Sequence, residues 1–308
     1  MSDWSDFVQS NIANTETEEV ITEAFAPVVS DVIVEIKGPD AAKLLQGQIT
    51  ADIEAIDKNG FCLGSLCTNK GRIVALFTIL RTAEGFYCRL SKNSSEAFIT
   101  TLKKYAVFYK VDIARRDDIG LLAVFSEQTS LNTGLAFAQL NHSDCLELWI
   151  EESQWQASVE YLQGKLQPAD ESLWQLEKIR QGWSDISAET LETFLPHALS
   201  LDLAEAISFT KGCYTGQEII ARTHYRGKPK KRLAHLVLAS APEKALIPGS
   251  DITDQDGSNL GNLVVSASYA GFNELLSTIS LETPKKGTLV IEGQSFDYVT
   301  APLPWSED

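Results

Sequence analysis

The sequence predicts an α+β fold followed by a small antiparallel β structure. Three observations carry this. Over roughly the first 230 residues, β-branched strand patterns are interleaved with stretches whose apolar residues recur every three to four positions. After Arg232 the helical spacing stops, and short strand patterns follow one another between turn signals. The chain has 308 residues, of which 44% are hydrophobic and 22% charged, enough apolar material to bury a core.

The elements follow in order. Residues 28–36 (VVSDVIVEI) are β-branched and partly alternating, and read as a strand. Gly38, Pro39 and Asp40 punctuate it, with Asp40 placed to cap a helix over 41–48 that turns Leu44 and Leu45 inward. Segments 60–68 and 71–80 read as a hairpin around Asn69, Lys70 and Gly71. A strand is predicted over 86–90, and a helix over 94–105 through Phe98, Leu102 and Tyr105. Strands follow over 107–114, 120–125 and 146–150, then helices over 154–166 and 171–182, the second ending at Gly182. Beyond a junction at Gly227, Lys228 and Pro229, segments 233–238, 250–253, 260–268, 275–281 and 288–291 read as strands of a barrel or sandwich of about 75 residues.

Composition narrows the function classes. With 42 acidic and 26 basic side chains the net charge is −16, a mean field that repels phosphate and disfavours a general polyanion binder. No window approaches the roughly 20 apolar residues of a membrane span. The first 31 residues carry seven acidic side chains and no Lys or Arg, unlike a signal peptide or a mitochondrial presequence. The five cysteines, Cys62, Cys67, Cys88, Cys145 and Cys213, are odd in number, and with no leader they read as reduced thiols of a cytoplasmic protein. Cys62 and Cys67 are too widely spaced for a metal pair, and the four histidines are far apart in sequence, so no stably bound metal is predicted. No set of cysteines has the spacing of iron–sulfur cluster ligands.

One segment concentrates special residues: 211–218, KGCYTGQE. Gly212 and Gly216 permit backbone conformations that other residues resist, or close approach of a ligand. Thr215 is placed to cap a following helix, leaving N–H groups beside Gly216 and Gln217 for an anion or a polarised carbonyl. Tyr214 offers a face for stacking and Gln217 a paired donor and acceptor. Cys213 lies next to Lys211 and a helix start, two influences that favour thiolate. The plainer alternative is a glycine-bounded turn around a buried cysteine. The eleven residues 222–232 hold six cations, Arg222, Arg226, Lys228, Lys230, Lys231 and Arg232, and no acid. The remainder has 20 basic against 42 acidic residues, or −22. This segment is either a solvated basic loop or an anion site.

The octapeptide 211–218 resembles the signature of the YgfZ family of folate-binding proteins, relatives of the glycine-cleavage aminomethyltransferase and of the folate domains of dimethylglycine and sarcosine oxidases. Further segments are similar to the family: 44–53 (LLQGQITADI), 69–72 (NKGR), 102–111 (LKKYAVFYKV), 179–182 (IRQG) and 194–196 (FLP). The resemblance covers roughly residues 30–235. It implies an aminomethyltransferase-like fold, a ring of α+β folate-binding subdomains with a C-terminal antiparallel β-barrel. The corresponding division is an acidic N-terminal extension over 1–25, a folate-binding region of two intertwined subdomains over 26–228, and the barrel over 229–308.

The resemblance also implies a tetrahydrofolate site near the centre, and a role in maintaining iron–sulfur enzymes, including those that methylthiolate tRNA. Trp174 matches a tryptophan that the family places just before its I-x-x-G segment, where it can meet folate. Tyr214 and Gln217 belong to the signature, and Arg226 matches an arginine suited to a glutamate carboxylate of the folate tail. Cys213 and Lys211 match the signature's cysteine and lysine and are the candidate catalytic residues. Two departures stand out. Where some members carry a tryptophan on the first strand, Asp31 or a neighbour stands here. The aminomethyltransferases carry acidic residues shortly after the hairpin glycine, whereas Gly71 is followed by Arg72, Ile73, Val74, Ala75 and Leu76, none of them a general acid or base for folate chemistry.

Three functions compete on this reading. The first is a tetrahydrofolate-binding factor that supports iron–sulfur enzymes such as tRNA methylthiotransferase. The second is a folate-dependent one-carbon transferase with an unknown acceptor, using Cys213. The third is a module that contacts tRNA or a protein partner through the basic segment 222–232.

Overall fold

In the computed structural model, which describes residues 3–12, 23–126, 136–142, 145–227 and 229–306, two five-stranded sheets and a closed barrel surround one buried helix. The acidic cluster Glu16, Glu18 and Glu19, and Lys228 of the basic segment, lie outside the described residues.

A helix α1 (Trp4–Asn11) is capped by Asp3, whose side chain accepts from Asp6 N. It docks through Trp4, whose Nε1 donates to Val28 O at 2.9 Å. Strands β1 (Ala24–Val28) and β2 (Asp31–Lys37) replace the single strand read over 28–36. The break has a cause: the Glu171 carboxylate accepts from the amides of Val29 (3.0 Å) and Ser30 (2.9 Å), which removes them from any ladder. At this break the chain leaves one sheet for the other.

The second sheet comes next. After α2 (Ala41–Gln48) and α3 (Ile53–Asn59), strands β3 (Phe61–Cys67), β4 (Ile73–Arg81) and β5 (Gly85–Ser91), helix α4 (Lys92–Ala106) and β6 (Asp112–Arg116) complete it, in the order β3-β4-β5-β2-β6. The hairpin of β3 and β4 is as the sequence predicted. Asp40 does not cap α2; its carboxylate accepts from Lys110 N at 2.8 Å and fixes the turn before β6, so that strand starts at Asp112 rather than at 107. Helix α4 buries Phe98 and Leu102, with Phe98 edge-on to Phe77 at 5.3 Å.

The chain then returns to the first sheet through β7 (Ile119–Phe125), β8 (Ala138–Asn141) and β9 (Leu146–Glu151). Helix α5 (Trp155–Gln163) and β10 (Gln167–Pro168) follow, and the order is β10-β1-β7-β9-β8. Helix α6 (Ser172–Arg180) buries six of its nine residues, Leu173, Trp174, Leu176, Glu177, Lys178 and Ile179. A helix buried nearly all round lies in a core. Here that core joins both sheets to the barrel: one cluster contains Ile33, Trp149, Trp174 and Tyr269, and another Ile73, Ile179, Leu276 and Leu303.

A short 3₁₀ helix at Pro196–Leu199 and helix α7 (Gln217–Arg226) lead into the barrel. Its strands are β11 (Lys231–Leu238), β12 (Asp251–Thr253), β13 (Asn259–Tyr269), β14 (Phe272–Ser280), β15 (Lys286–Ile291) and β16 (Gln294–Ala301). They close in the order β11-β14-β13-β12-β15-β16, all pairs antiparallel. The sequence reading named five of these strands; the sixth, β16, pairs with both β15 and β11 and closes the barrel, which removes the exposed edges a sandwich would keep.

Candidate functional site

The central cavity lies between the second sheet, the end of α6 and the segment 201–206. It encloses about 40 Å³, within a surrounding opening of about 500 Å³ that is continuous with solvent. Thr78 and Arg89 of β4 and β5 form one wall; Lys178, Trp183, Ser184 and Asp185 form the other. Gly182 sets the second wall. Its φ is +70°, and a Cβ there would lie 2.3 Å from the ring of Trp305, so only glycine lets the chain turn against that indole.

Behind the cavity, charged groups are buried together. Arg89 Nη1 donates to Asp31 Oδ2 at 2.8 Å and Nη2 to Thr78 Oγ1 at 2.9 Å. Its Nε stands 2.9 Å from Glu147 Oε1, a close ion pair without hydrogen-bond alignment. Lys178 Nζ bridges Asp31 (3.4 Å) and Asp185 (2.6 Å). Glu147 also accepts from Trp149 Nε1 at 2.7 Å and meets His142 Nε2 at 3.1 Å. Burial alone would raise the pKa of Asp31, but Lys178 and Arg89 outweigh it and hold the carboxylate below its ordinary value. Glu147 is likewise lowered against burial, by Arg89 and by hydrogen bonds from His142 and Trp149. Burial disfavours the Lys178 ammonium, yet Asp185 and Asp31 raise its pKa. Asp31 thus occupies the first-strand position as the anchor of an ion network.

The two tryptophans divide the roles expected of Trp174. Trp174 is fully buried, its Nε1 has no partner among the described residues, and it does not line the cavity. Trp183 packs edge-on to it at 5.9 Å and is the indole at the wall. The guanidinium of Arg89 lies 5.6 Å from the Trp174 ring and 5.9 Å from that of Trp183.

The signature loop is a second, separate construction. Gly216 has φ +85°, and a Cβ there would meet Thr68 O at 2.6 Å and Gly71 Cα at 3.2 Å. The loop is therefore pressed onto the turn of the β3–β4 hairpin, with Gly216 rather than Thr215 at the N-cap position of α7. Thr215 Oγ1 instead donates to Gln48 Oε1 at 2.9 Å, and Gln217 N donates to Tyr214 O at 3.2 Å, so the helix start is partly satisfied from within. Gly212 has no such crowding.

Lys211 is buried, and Nζ donates to Ile49 O (2.9 Å) and Ala51 O (2.6 Å) and lies 5.2 Å from the centre of the Tyr214 ring. Its donors go there and not to Cys213, so the expected partnership of the two is not formed. Burial lowers the Lys211 pKa from 10.5 to about 8, with Asp52 and Cys62 opposing. Tyr214 is buried and its phenol pKa is raised by burial, so its ring is a packing face. Cys213 is exposed, whereas Cys67, Cys88 and Cys145 are buried and Cys62 half-buried. Burial pushes the Cys62 and Cys67 thiols up to about 12.

The basic segment is less free than its charge count implied. Arg232 pairs through both terminal nitrogens with Asp202, and Lys231 Nζ donates to Asn259 Oδ1 at 2.7 Å. Arg222, Arg226 and Lys230 are exposed, and none of them lines the cavity. Sequence reasoning missed Arg89, Lys178, Trp183, Ser184 and Asp185. The only local signal was Trp183, one residue beyond the IRQG segment.

Known proteins match this chain at two levels. No protein-family model matches it. Among solved structures, the aminomethyltransferase T of the glycine cleavage system from Bartonella henselae superposes with a TM-score of 0.71 at 14% identity, covering 94% of this chain and 88% of that one. The fold is therefore the aminomethyltransferase fold. Among curated proteins, the tRNA-modifying protein YgfZ of Aliivibrio fischeri is 31% identical over 248 residues, 76% of this chain and 77% of its own. That of Yersinia pseudotuberculosis is 33% identical over 246 residues, 74% of each chain. An uncharacterized protein of Haemophilus influenzae is 32% identical over 225 residues, 72% of this chain and 76% of its own. At this identity over about three quarters of its length, the chain belongs to the YgfZ family, whose members are named tRNA-modifying proteins.

Proposed function

We propose that this chain has a folate-related role in tRNA modification: it binds a reduced folate in the central cavity and supports iron–sulfur enzymes, among them those that methylthiolate tRNA. One observation carries the folate reading. Within an aminomethyltransferase fold, the cavity wall presents the half-buried indole of Trp183 beside Ser184 Oγ, a buried hydroxyl with no partner among the described residues. A pterin is flat and aromatic, with donors and acceptors along its edge. The indole supplies a stacking face, and Ser184 and Asp185 supply acceptors at that edge. Lys178 anchors Asp185 in place at 2.6 Å. A bound reduced folate would supply one-carbon chemistry at its ring nitrogens.

The thiol reading rests on exposure. Thiolate is the reactive form of cysteine, and burial raises the pKa of Cys62, Cys67 and Cys88. Cys213 stands in solvent on the loop pressed against the hairpin. An accessory role is favoured over a transferase because Ile73, Val74 and Ala75 after the hairpin turn are buried and apolar. The transferase reading keeps one support, the Asp185 carboxylate at the cavity wall. Among the described residues of the basic segment, Arg222, Arg226 and Lys230 are exposed, a short patch rather than an extended tRNA track.

The deciding experiment is a tetrahydrofolate titration of the full chain followed by tryptophan fluorescence, with Trp183→Ala alongside. A saturable quench in the wild type that Trp183→Ala weakens by about tenfold supports the site. No quench in the wild type rejects folate binding. For the thiol, full complementation of a deletion strain by Cys213→Ala would remove its role.

A further inference from the structure

Outside the cavity and the signature loop, three potential metal donors converge that are distant in sequence. His197 lies in the 3₁₀ helix, Asp202 follows it, and His224 stands in the last turn of α7. Their ligating atoms all lie within 4.8 Å of one another. The four histidines looked too scattered for a metal site, and the fold brings two of them to one place.

A second, independent observation points to a ligand. His197 is 3% exposed, and neither ring nitrogen has a hydrogen-bond partner among the described residues. A buried polar ring left unpaired is costly, so it calls for an explanation. Asp202 stands beside it, with His197 Nε2 3.9 Å from Oδ2, too long for a hydrogen bond.

We propose that His197, Asp202 and His224 form a binding site for a divalent first-row transition-metal ion of the Zn²⁺ class. Two imidazoles and one carboxylate suit such ions, whereas Mg²⁺ and Ca²⁺ require mainly oxygen ligands. Tetrahedral zinc with bonds of roughly 2.1 Å sets its ligands about 3.4 Å apart. The 3.9 Å between His197 and Asp202 is within a small side-chain adjustment of that. Asp202 is already held by Arg232, which orients the carboxylate as outer partners of metal ligands commonly do. Its two oxygens have lone pairs for both. His224 is stacked on Phe209 with ring centres 3.7 Å apart, which fixes the plane of its ring. Three protein ligands leave a coordination position open to water or to a partner's side chain.

The site has a defined place in the molecule. The segment that carries Asp202 continues into Ala204 and Ala206 at the cavity wall. The helix that carries His224 begins at the loop of Cys213. An ion here joins the two constructions from behind.

The test uses the full, tag-free chain, stripped with a chelator and dialysed. Zn²⁺ is titrated calorimetrically, and Co²⁺ is followed by its visible spectrum, in the wild type, His224→Ala and Cys213→Ala. The wild type and Cys213→Ala are expected to bind one equivalent of Zn²⁺, undisturbed by excess Mg²⁺. His224→Ala is expected to bind on the order of 100-fold more weakly, since removing even an outer partner costs 10–100-fold. His224 is exposed, so the variant is expected to keep its fold, checked by circular dichroism. The Co²⁺ spectrum needs no variant: a site of two imidazoles and a carboxylate shows d–d bands without a thiolate-to-cobalt charge-transfer band. No stoichiometric binding in the wild type, binding indifferent to His224→Ala, binding lost in Cys213→Ala, or a thiolate band would each overturn the proposal.

Discussion

The central ion network and the signature loop are built on opposite plans. In the network, Asp31, Arg89, Glu147 and Lys178 are buried, come from four distant parts of the chain, and form ion pairs with one another. In the loop, eight consecutive residues hold one exposed thiol, fixed by a glycine against a hairpin turn. The network has little freedom and high stakes, since removing one partner strands the others. The loop exposes its chemistry and keeps its structural cost in Gly216 and Lys211. A mutation in the network is therefore expected to act on stability first, and one at Cys213 on function first.

The largest effect tests the network. Arg89→Leu leaves Asp31 and Glu147 buried without their cation and is expected to cost about 3–5 kcal/mol in urea unfolding. A loss below about 1 kcal/mol would mean the network is not the structural unit described. Next comes the anchoring of the loop. Gly216→Ala forces a side chain into positive φ and against Thr68 O, at an expected cost of about 1–3 kcal/mol. Gly212→Ala is expected to stay within about 0.5 kcal/mol. Equal losses would erase the distinction between the two glycines.

The two regions also diverge with pH. Asp31 and Glu147 have pKa values below their ordinary 3.8 and 4.5, so their contribution is present above those values and disappears as pH falls through the lowered ones. Lys211 follows the same sense in a higher pH window. Its folded pKa of about 8 lies below the ordinary 10.5, so the unfolded chain binds more protons between them. The stability of the wild type relative to Lys211→Met is expected to rise from pH 8 to pH 10.5 and to be flat below pH 8. A flat difference across that window would place the Lys211 ammonium in water. The smallest stability effect belongs to Cys213→Ala, within about 0.5 kcal/mol by thermal melting. Its consequence lies in reactivity: iodoacetamide at pH 7.5 is expected to label one thiol quickly in the wild type and none quickly in the variant. Rapid labelling of Cys62 or Cys67 would contradict their buried, raised pKa values.

What the sequence disclosed follows the same division. The β3–β4 hairpin, α2, α4 and five barrel strands were legible because turn residues and apolar periodicity are local. The family was legible because the signature is one continuous octapeptide. The break between β1 and β2 was not, because Glu171, more than a hundred residues away, causes it. Arg89 lies on an ordinary strand and Lys178 on an ordinary helix, and neither is distinctive until the fold sets Asp31 between them. Trp174 is the tryptophan the family resemblance picks out, but a resemblance does not say which of two indoles faces the cavity. Charge counting has the same limit, since a count of six cations does not show that Arg232 is bound to Asp202.

The contact of Gly182 with Trp305 bears on how the protein is made. The cavity wall 182–185 leaves the ribosome more than a hundred residues before the indole that packs against its turn. The whole barrel must be synthesised in between. The wall therefore takes its final shape after the barrel has been delivered, and a nascent chain halted inside the barrel would display Trp183 on an unsupported loop. Proteolytic clipping after β16 would return a finished molecule to that condition, with the sheets and the barrel intact and the cavity wall released.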